Sequence, residues 1–400
     1  MSRRHTAGVL AGAVGGFAFG AALTLALQGS AALPGPPDAS TEEPGTVATA
    51  PQDPEAFLVW TPGGLPDGFR DGVERLRGVE RAVVVASDNT WLDRSWSAQG
   101  EVVDDPRPGF RVPLEVAAVD PSAFARFLPP ADRSVTLAIE QGQGVLGESS
   151  AKLRGLGPGA VLRFGELRVE VAAILPDELM GAHELLVSLE VGERLGVTRD
   201  RYALIVPEGD PTAERVERLV RPLIPDDLDM RVRAPGDTPL FRHGDAVLAP
   251  VQIKALFGEF AARPTPGRPG FLTLDPAWVR ESIDTQRVPL LGNVTCHVAL
   301  FPQIRGVVQD LIDQGLGRTI DSFSGCWSAR HINRVPSAGI SHHSWGIALD
   351  VNVRANPFGA PPDQDPALVR TFERWGFTWG GDWVVPDGMH FEYRRSPADA

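Results

Sequence analysis

Two stretches near the C-terminal end carry side chains whose types and spacing suit hydrolysis. Residues 341–353 read SHHSWGIALDVNV and residues 386–393 read PDGMHFEY. From Gly346 onward the first stretch alternates. Ile347, Leu349, Val351 and Val353 fall on one side, and Gly346, Ala348, Asp350 and Asn352 on the other, which predicts a half-buried strand with one face on a cleft. Small Gly346 and Ala348 leave room beside the Asp350 carboxylate, and a turn upstream brings His343 alongside it. The Pro-Asp-Gly turn of the second stretch feeds a short strand and sets Asp387 close to His390. His343, Asp350 and His390 would give a zinc ion three protein ligands and leave a fourth position open for water, the pattern of a catalytic site. Such a metal polarises a carbonyl and acidifies water, yet a carboxylate must still take the proton and return it to the leaving amine, a task that suits Asp387. Arg330, in GCWSAR, is the cation that could stabilise the developing oxyanion.

Other groupings fit less well. A Ser341–His343–Asp350 hydrolase lacks the G-x-S-x-G elbow that such a serine needs. His297, His331 and His342 read as structural histidines, and Trp375, Trp379 and Trp383, among glycines, as packing. Glu392 shares a strand face with His390 and is placed to hydrogen-bond behind it. Cys296 and Cys326, the two cysteines of the chain, either pair or stay as buried thiols. With no C-x-x-C spacing they are not a zinc site.

The chain that must position these groups has 400 residues, 43% of them hydrophobic, enough for two domains. Its formal charge of −13 argues against nucleic acid as a partner, since phosphates must be neutralised by cations. Only two lysines occur, Lys152 and Lys254, a bias that suits a GC-rich genome. After Arg3 and Arg4, residues 7–27 carry no charge, the pattern of a signal peptide or a membrane anchor with its basic end in the cytoplasm. A Pro/Ala/Thr/Ser-rich tether follows. Strands are expected at 81–86, 114–119, 134–139, 161–164, 167–174 and 202–206, and helices at 72–76 and 212–223, an α+β pattern. An amphipathic stretch at 251–261 lies in a connector rich in Pro and Gly.

Two resemblances add to this reading. LPDGFRDGVERLRGVERAVVV, VAAVDPSAF, VLGESSAKLRGLGPGAVLRFG and VEVAAILPD, between residues 57 and 233, resemble the extracytoplasmic domain of MacB-type and FtsX-type permeases. That resemblance implies a module for contact with an envelope protein partner. GCWSARHI, SHHSWGIALDVN, GFTWGGDW and PDGMHFE resemble the VanY-type zinc D-alanyl-D-alanine carboxypeptidases and the related L-alanyl-D-glutamate peptidases. Over residues 271–393 this second resemblance implies zinc on His343, Asp350 and His390, Asp387 as general base and acid, and Arg330 as substrate and oxyanion anchor. It further implies Ser341 as a hydrogen-bonding partner behind the ligands, and the small α+β fold shared with hedgehog signalling domains.

The expected organisation is therefore a signal peptide or transmembrane anchor (1–28), a flexible linker (29–54), a MacB-like α+β domain (55–235), a connector (236–270) and a zinc peptidase domain (271–400). The expected activity is zinc-dependent hydrolysis of a D-amino-acid-containing bond in peptidoglycan stem peptides, at the extracytoplasmic face of the membrane or in secreted form. The alternatives are an L-alanyl-D-glutamate endopeptidase and a non-catalytic envelope scaffold that uses the zinc fold as a recognition pocket. The presence of Asp387 speaks against the scaffold.

Overall fold

The structure, a computed structural model, describes residues 55–394 except 239, 246 and 247. The expected anchor and linker, residues 1–54, lie outside the described residues. Among those described, no helix is long and apolar enough to cross a membrane.

The first half is a mixed ten-stranded sheet. Its strands are β1 (Phe57–Trp60), β2 (Val79–Leu92), β3 (Arg94–Trp96), β4 (Val112–Val119), β5 (Gly144–Gly147), β6 (Val161–Phe164), β7 (Leu167–Leu175), β8 (Leu185–Ser188), β9 (Asp200–Pro207) and β10 (Arg231–Arg233). They lie in the order β10-β1-β9-β2-β4-β8-β5-β7-β6-β3. The pairs β4–β8 and β5–β7 are parallel and the other neighbours antiparallel. All four residues of β1, next to the edge strand β10, are buried because both faces of the sheet are covered there. Phe57 and Val59 pack under the helices Phe69–Glu74 and Ala213–Val220, while Leu58 and Trp60 face the cluster that holds Phe124 and Ile139. Such two-sided cover explains why these strands read as continuous apolar runs instead of alternating ones.

The expected strand at 134–139 is a helix, Val135–Glu140. Thr136 and Ile139, three apart, are buried and Leu137 between them is 60% exposed, so the burial period is helical. Six residues with three β-branched members carry no length signal to separate the two states.

The stretch expected as a connector is built into the core of the second half. Helix Pro250–Phe257 buries Ile253 and Phe257 in the same cluster as Phe260, Trp345, Ile347 and Phe391. Two hairpins follow, β11 (Ala262–Pro264) with β12 (Leu272–Leu274), and β13 (Ile283–Val288) with β14 (Gly292–His297). The last sheet holds β15 (Phe323–Gly325), β16 (Ala348–Val351), β17 (Phe377–Trp379) and β18 (His390–Tyr393), in the order β15-β16-β18-β17 and antiparallel throughout. Helices Phe301–Asp313 and Pro366–Arg374 contribute Ile304, Val307, Leu368 and Phe372 to its core. A mixed α+β architecture thus holds for the described residues.

Candidate metal centre

The central pair of the last sheet, β16 and β18, sets Asp350 directly opposite His390 in register. The strand is shorter than the alternation suggested. Gly346 (φ 69°) and Asn352 (φ 56°) bound it on either side, both in the left-handed region. A side chain at 346 would run into the backbone at His297, 2.7 Å away. Asn352 tolerates its conformation because its amide is fully used. Its Oδ1 accepts from the peptide N–H groups of Asp321 (2.8 Å) and Ser322 (3.1 Å), and its Nδ2 donates to Thr319 O (2.7 Å) and Gln364 Oε1 (3.0 Å). The chain is thereby turned away immediately beyond the carboxylate. Leu349 and Val351 are buried as expected, but Val353 lines the cleft instead of the core.

His343 sits in the short 3-10 turn His342–Ser344, and its Nε2 lies 3.3 Å from Asp350 Oδ1. His390 Nδ1 lies 3.2 Å from that same oxygen. One ligand atom from each of the three residues falls within 4.8 Å of the others. The outward nitrogens are fixed: His343 Nδ1 bonds to Cys326 O at 2.6 Å and His390 Nε2 to Glu392 Oε2 at 3.2 Å. This leaves His343 Nε2 and His390 Nδ1 turned toward the common point. His343 Nε2 is buried and has no hydrogen-bond partner, an orphan that a metal would satisfy. Two imidazoles and one carboxylate are also a donor set suited to zinc, so the residues fit the ion.

Burial would raise the Asp350 carboxyl, but the His343 and His390 rings facing it hold it well below the usual range. Burial also opposes charging of His390, yet its bonds to Asp350 and Glu392 prevail and carry it to about 10. Asp387 shifts in the opposite direction. Burial raises it and Asp350 adds to the rise, against the pull of His390. Its Oδ1 is buried without a partner, and the turn is pinned by Asp387 N–H to Gly380 O (2.8 Å) and His390 N–H to Asp387 O (3.0 Å). Gly380 is required there, since a Cβ would approach Asp387 O to 2.7 Å. Arg330 opens onto the cleft, lowered by burial and supported by the charges of Asp350 and Asp387, and no ion pair of its guanidinium is found among the described residues.

Ser341 enters through its backbone, donating its N–H to Arg330 O at 3.1 Å, and among the described residues its hydroxyl makes no hydrogen bond behind the ligands. The hydroxyl that joins the two loops is that of Ser344, which accepts from Arg330 N–H and donates to Arg330 O, both at 3.0 Å. Glu392 takes His342 Nδ1 at 2.7 Å besides His390. His342, read as structural, therefore faces the cleft. Its tandem position beside His343 was the available signal. His297 and His331 do bond to backbone carbonyls, of Phe257 and Ala338. Cys296 and Cys326 are joined in a disulfide with Cα atoms 5.4 Å apart, and Cys326 supplies the carbonyl that orients His343. Trp375 and Trp379 bond within the fold, to Asp310 and Gly388 O, whereas Trp383 lies against the His390 ring in the cleft, centroids 5.2 Å apart.

Comparison with known proteins gives matches of two kinds. Solved structures similar to this chain include the periplasmic region of MacB from Actinobacillus actinomycetemcomitans (12% identity, covering 46% of this chain and 90% of that one, TM-score 0.29). The extracellular domain of the noncanonic ABC-type transporter YknZ from Gram-positive bacteria (13%, 42% and 92%, TM-score 0.28) and a domain of a putative permease from Porphyromonas gingivalis (13%, 46% and 90%, TM-score 0.30) are further examples. No curated protein sequence matches. Residues 335–393, the segment that contains His343, Asp350, Asp387 and His390, match the family model described as D-alanyl-D-alanine carboxypeptidase.

Proposed function

We propose that the chain is a zinc-dependent peptidase of the D-alanyl-D-alanine carboxypeptidase type, whose C-terminal part has the zinc peptidase fold and which acts outside the cytoplasm on peptidoglycan stem peptides. The observation that carries this reading is the convergence of His343 Nε2, Asp350 Oδ1 and His390 Nδ1 beside an unpartnered carboxyl oxygen of Asp387. The family match over residues 335–393 and the paired cysteines, which suit an oxidising compartment, support it.

A bound zinc ion would supply Lewis acidity to the scissile carbonyl and bring the pKa of water toward neutrality. The chain supplies the rest. Asp387, raised by burial, accepts the proton of the attacking water and delivers it to the departing amine, the exchange that needs a carboxyl poised above its ordinary value. Arg330, with its loop clamped by Ser344, offers a fixed cation to the oxyanion or to a substrate carboxylate. Glu392 and the Cys326 carbonyl hold the two imidazoles in the tautomers that present Nδ1 of His390 and Nε2 of His343.

Mass spectrometry of purified muropeptides incubated with the zinc-loaded chain tests this. Release of terminal D-alanine, stopped by a chelator, is expected. Cleavage at the L-alanyl-D-glutamate bond instead would replace the carboxypeptidase assignment, and unchanged masses would remove the peptidase one.

A further inference from the structure

The loop between β17 and β18 carries Asp387 and runs into His390, yet the C-terminal half does not hold it alone. Its base is closed within that half. Asp387 N–H reaches Gly380 O at 2.8 Å, Trp379 Nε1 donates to Gly388 O at 2.8 Å, and Gly359 N–H reaches Pro386 O at 2.7 Å. Its tip, residues 382–384, leans on the ten-stranded half. Val384 donates its N–H to Asp245 Oδ2 at 3.0 Å, and among the described residues this is the one side-chain hydrogen bond to residues 383–385. The Val384 side chain packs against the cluster that holds Trp60 and Phe241, and Arg231 on β10 reaches Asp382 O at 3.5 Å.

Asp245 is itself built into the first half. Arg233, the last residue of β10, donates to Arg242 O and to Gly244 O, both at 2.6 Å, and lies 3.8 Å from Asp245 Oδ1. Its guanidinium is stacked over Trp60 of β1, 5.5 Å from the ring centre. The turn that leads to Asp245 is thus clamped to the sheet edge, and Oδ2 is left for Val384.

The sequence between Val384 and Asp387 passes this restraint on. It reads Val384-Val385-Pro386-Asp387. Proline fixes its own φ and drives the residue before it into extended backbone, so the two residues between the tether and the carboxyl group are stiff. Three residues span at most about 11 Å, and a shift at Val384 has few free torsions in which to be absorbed. On the other side of the tether Trp383 rests against the His390 ring, centroids 5.2 Å apart.

We propose that Asp245 is a positioning residue for the peptidase reaction: by holding the Val384 N–H it lets the ten-stranded half set where the Asp387 carboxyl group stands beside the metal centre. The proposal rests on the peptidase reading of that centre. It gives the first half a part in turnover and none in metal binding, since the tethered segment 382–387 contains none of the three candidate ligands.

Two substitutions test it, because Asp245→Ala removes the acceptor and Asp245→Asn keeps an amide oxygen in its place. In the full zinc-loaded chain acting on muropeptides, Asp245→Ala should lower kcat about tenfold or more with zinc content unchanged, the scale of a small misplacement of a catalytic group. KM should stay within about twofold, as for a loss confined to the transition state. Asp245→Asn should recover most of the lost kcat. In the Asp387→Asn background Asp245→Ala should cost less than about twofold, because the group it places is already gone. Hydrogen exchange of the Val384 amide reads the tether without turnover, and should be faster in Asp245→Ala and native-like in Asp245→Asn. Unchanged kcat or unchanged Val384 exchange in Asp245→Ala, no recovery in Asp245→Asn, or an undiminished loss in the Asp387→Asn background overturns the proposal. Any of these results in a chain whose native form is active overturns this proposal alone, whereas a native chain that cleaves no muropeptide overturns the peptidase reading with it.

Discussion

Asp387 and Asp350 share one small volume but are pushed in opposite directions by it. Asp350 is half-buried and stays ionised because two imidazoles face it, whereas Asp387 is half-buried with fewer compensating donors and rises. That separation predicts distinct mutant behaviour. Asp387→Asn should retain zinc and lose about 10²–10⁴ in kcat, the usual scale of a general acid–base group. Full turnover by that variant would refute its role. His297 gives a pH prediction away from the site. Burial, against a hydrogen bond to Phe257 O, lowers it from 6.5 to about 4. Below pH 6.5 the unfolded chain takes up a proton that the native ring refuses until about pH 4, so stability should fall as pH drops through that window. The loss amounts to about 3 kcal/mol for such a shift. Urea titrations at pH 7 and pH 4.5 should therefore show a smaller decline for His297→Gln than for the native chain, and parallel declines would contradict the assignment.

At the scale of elements, a disulfide and a bent strand end hold the ligands still. The Cys296–Cys326 bridge joins residues 30 apart, and closing a loop of that size contributes about 3–4 kcal/mol in the chain-entropy view. Cys296→Ser should lower the unfolding free energy by that order, measured by denaturant titration, and should weaken zinc affinity because the same bridge carries the carbonyl behind His343. An unchanged midpoint would show that packing alone holds the hairpin. Much of this site was legible in the sequence. His343, Asp350, His390 and Asp387 stand in short segments whose spacing states their proximity. The supports were not legible. Ser344 in place of Ser341, the left-handed Asn352 and the cleft-facing His342 depend on contacts with residues 12 to 50 positions away, which no local period encodes. The helix Val135–Glu140 was misread for a related reason, since its burial pattern is set by the sheet beneath it.

Across the whole molecule, a buried charge cluster ties the ten-stranded sheet to the segment that enters the C-terminal core. Glu184, fully buried immediately before β8, meets Lys254 at 2.8 Å and Arg154 at 3.3 Å, and both cations also meet Glu259. Lys254 further donates to Pro113 O. Glu184→Ala should destabilise by about 3–5 kcal/mol, the scale for breaking a buried ion pair, and a denaturation midpoint within error of the native chain would contradict this account of the junction. The candidate metal ligands face the cleft that the two halves line. Elemental analysis of the purified chain should find one zinc per molecule in the native protein and in Asp387→Asn, and none in His343→Ala or His390→Ala. Native protein that binds no stoichiometric metal, or histidine variants that keep it, would contradict the claim that these side chains form a metal centre.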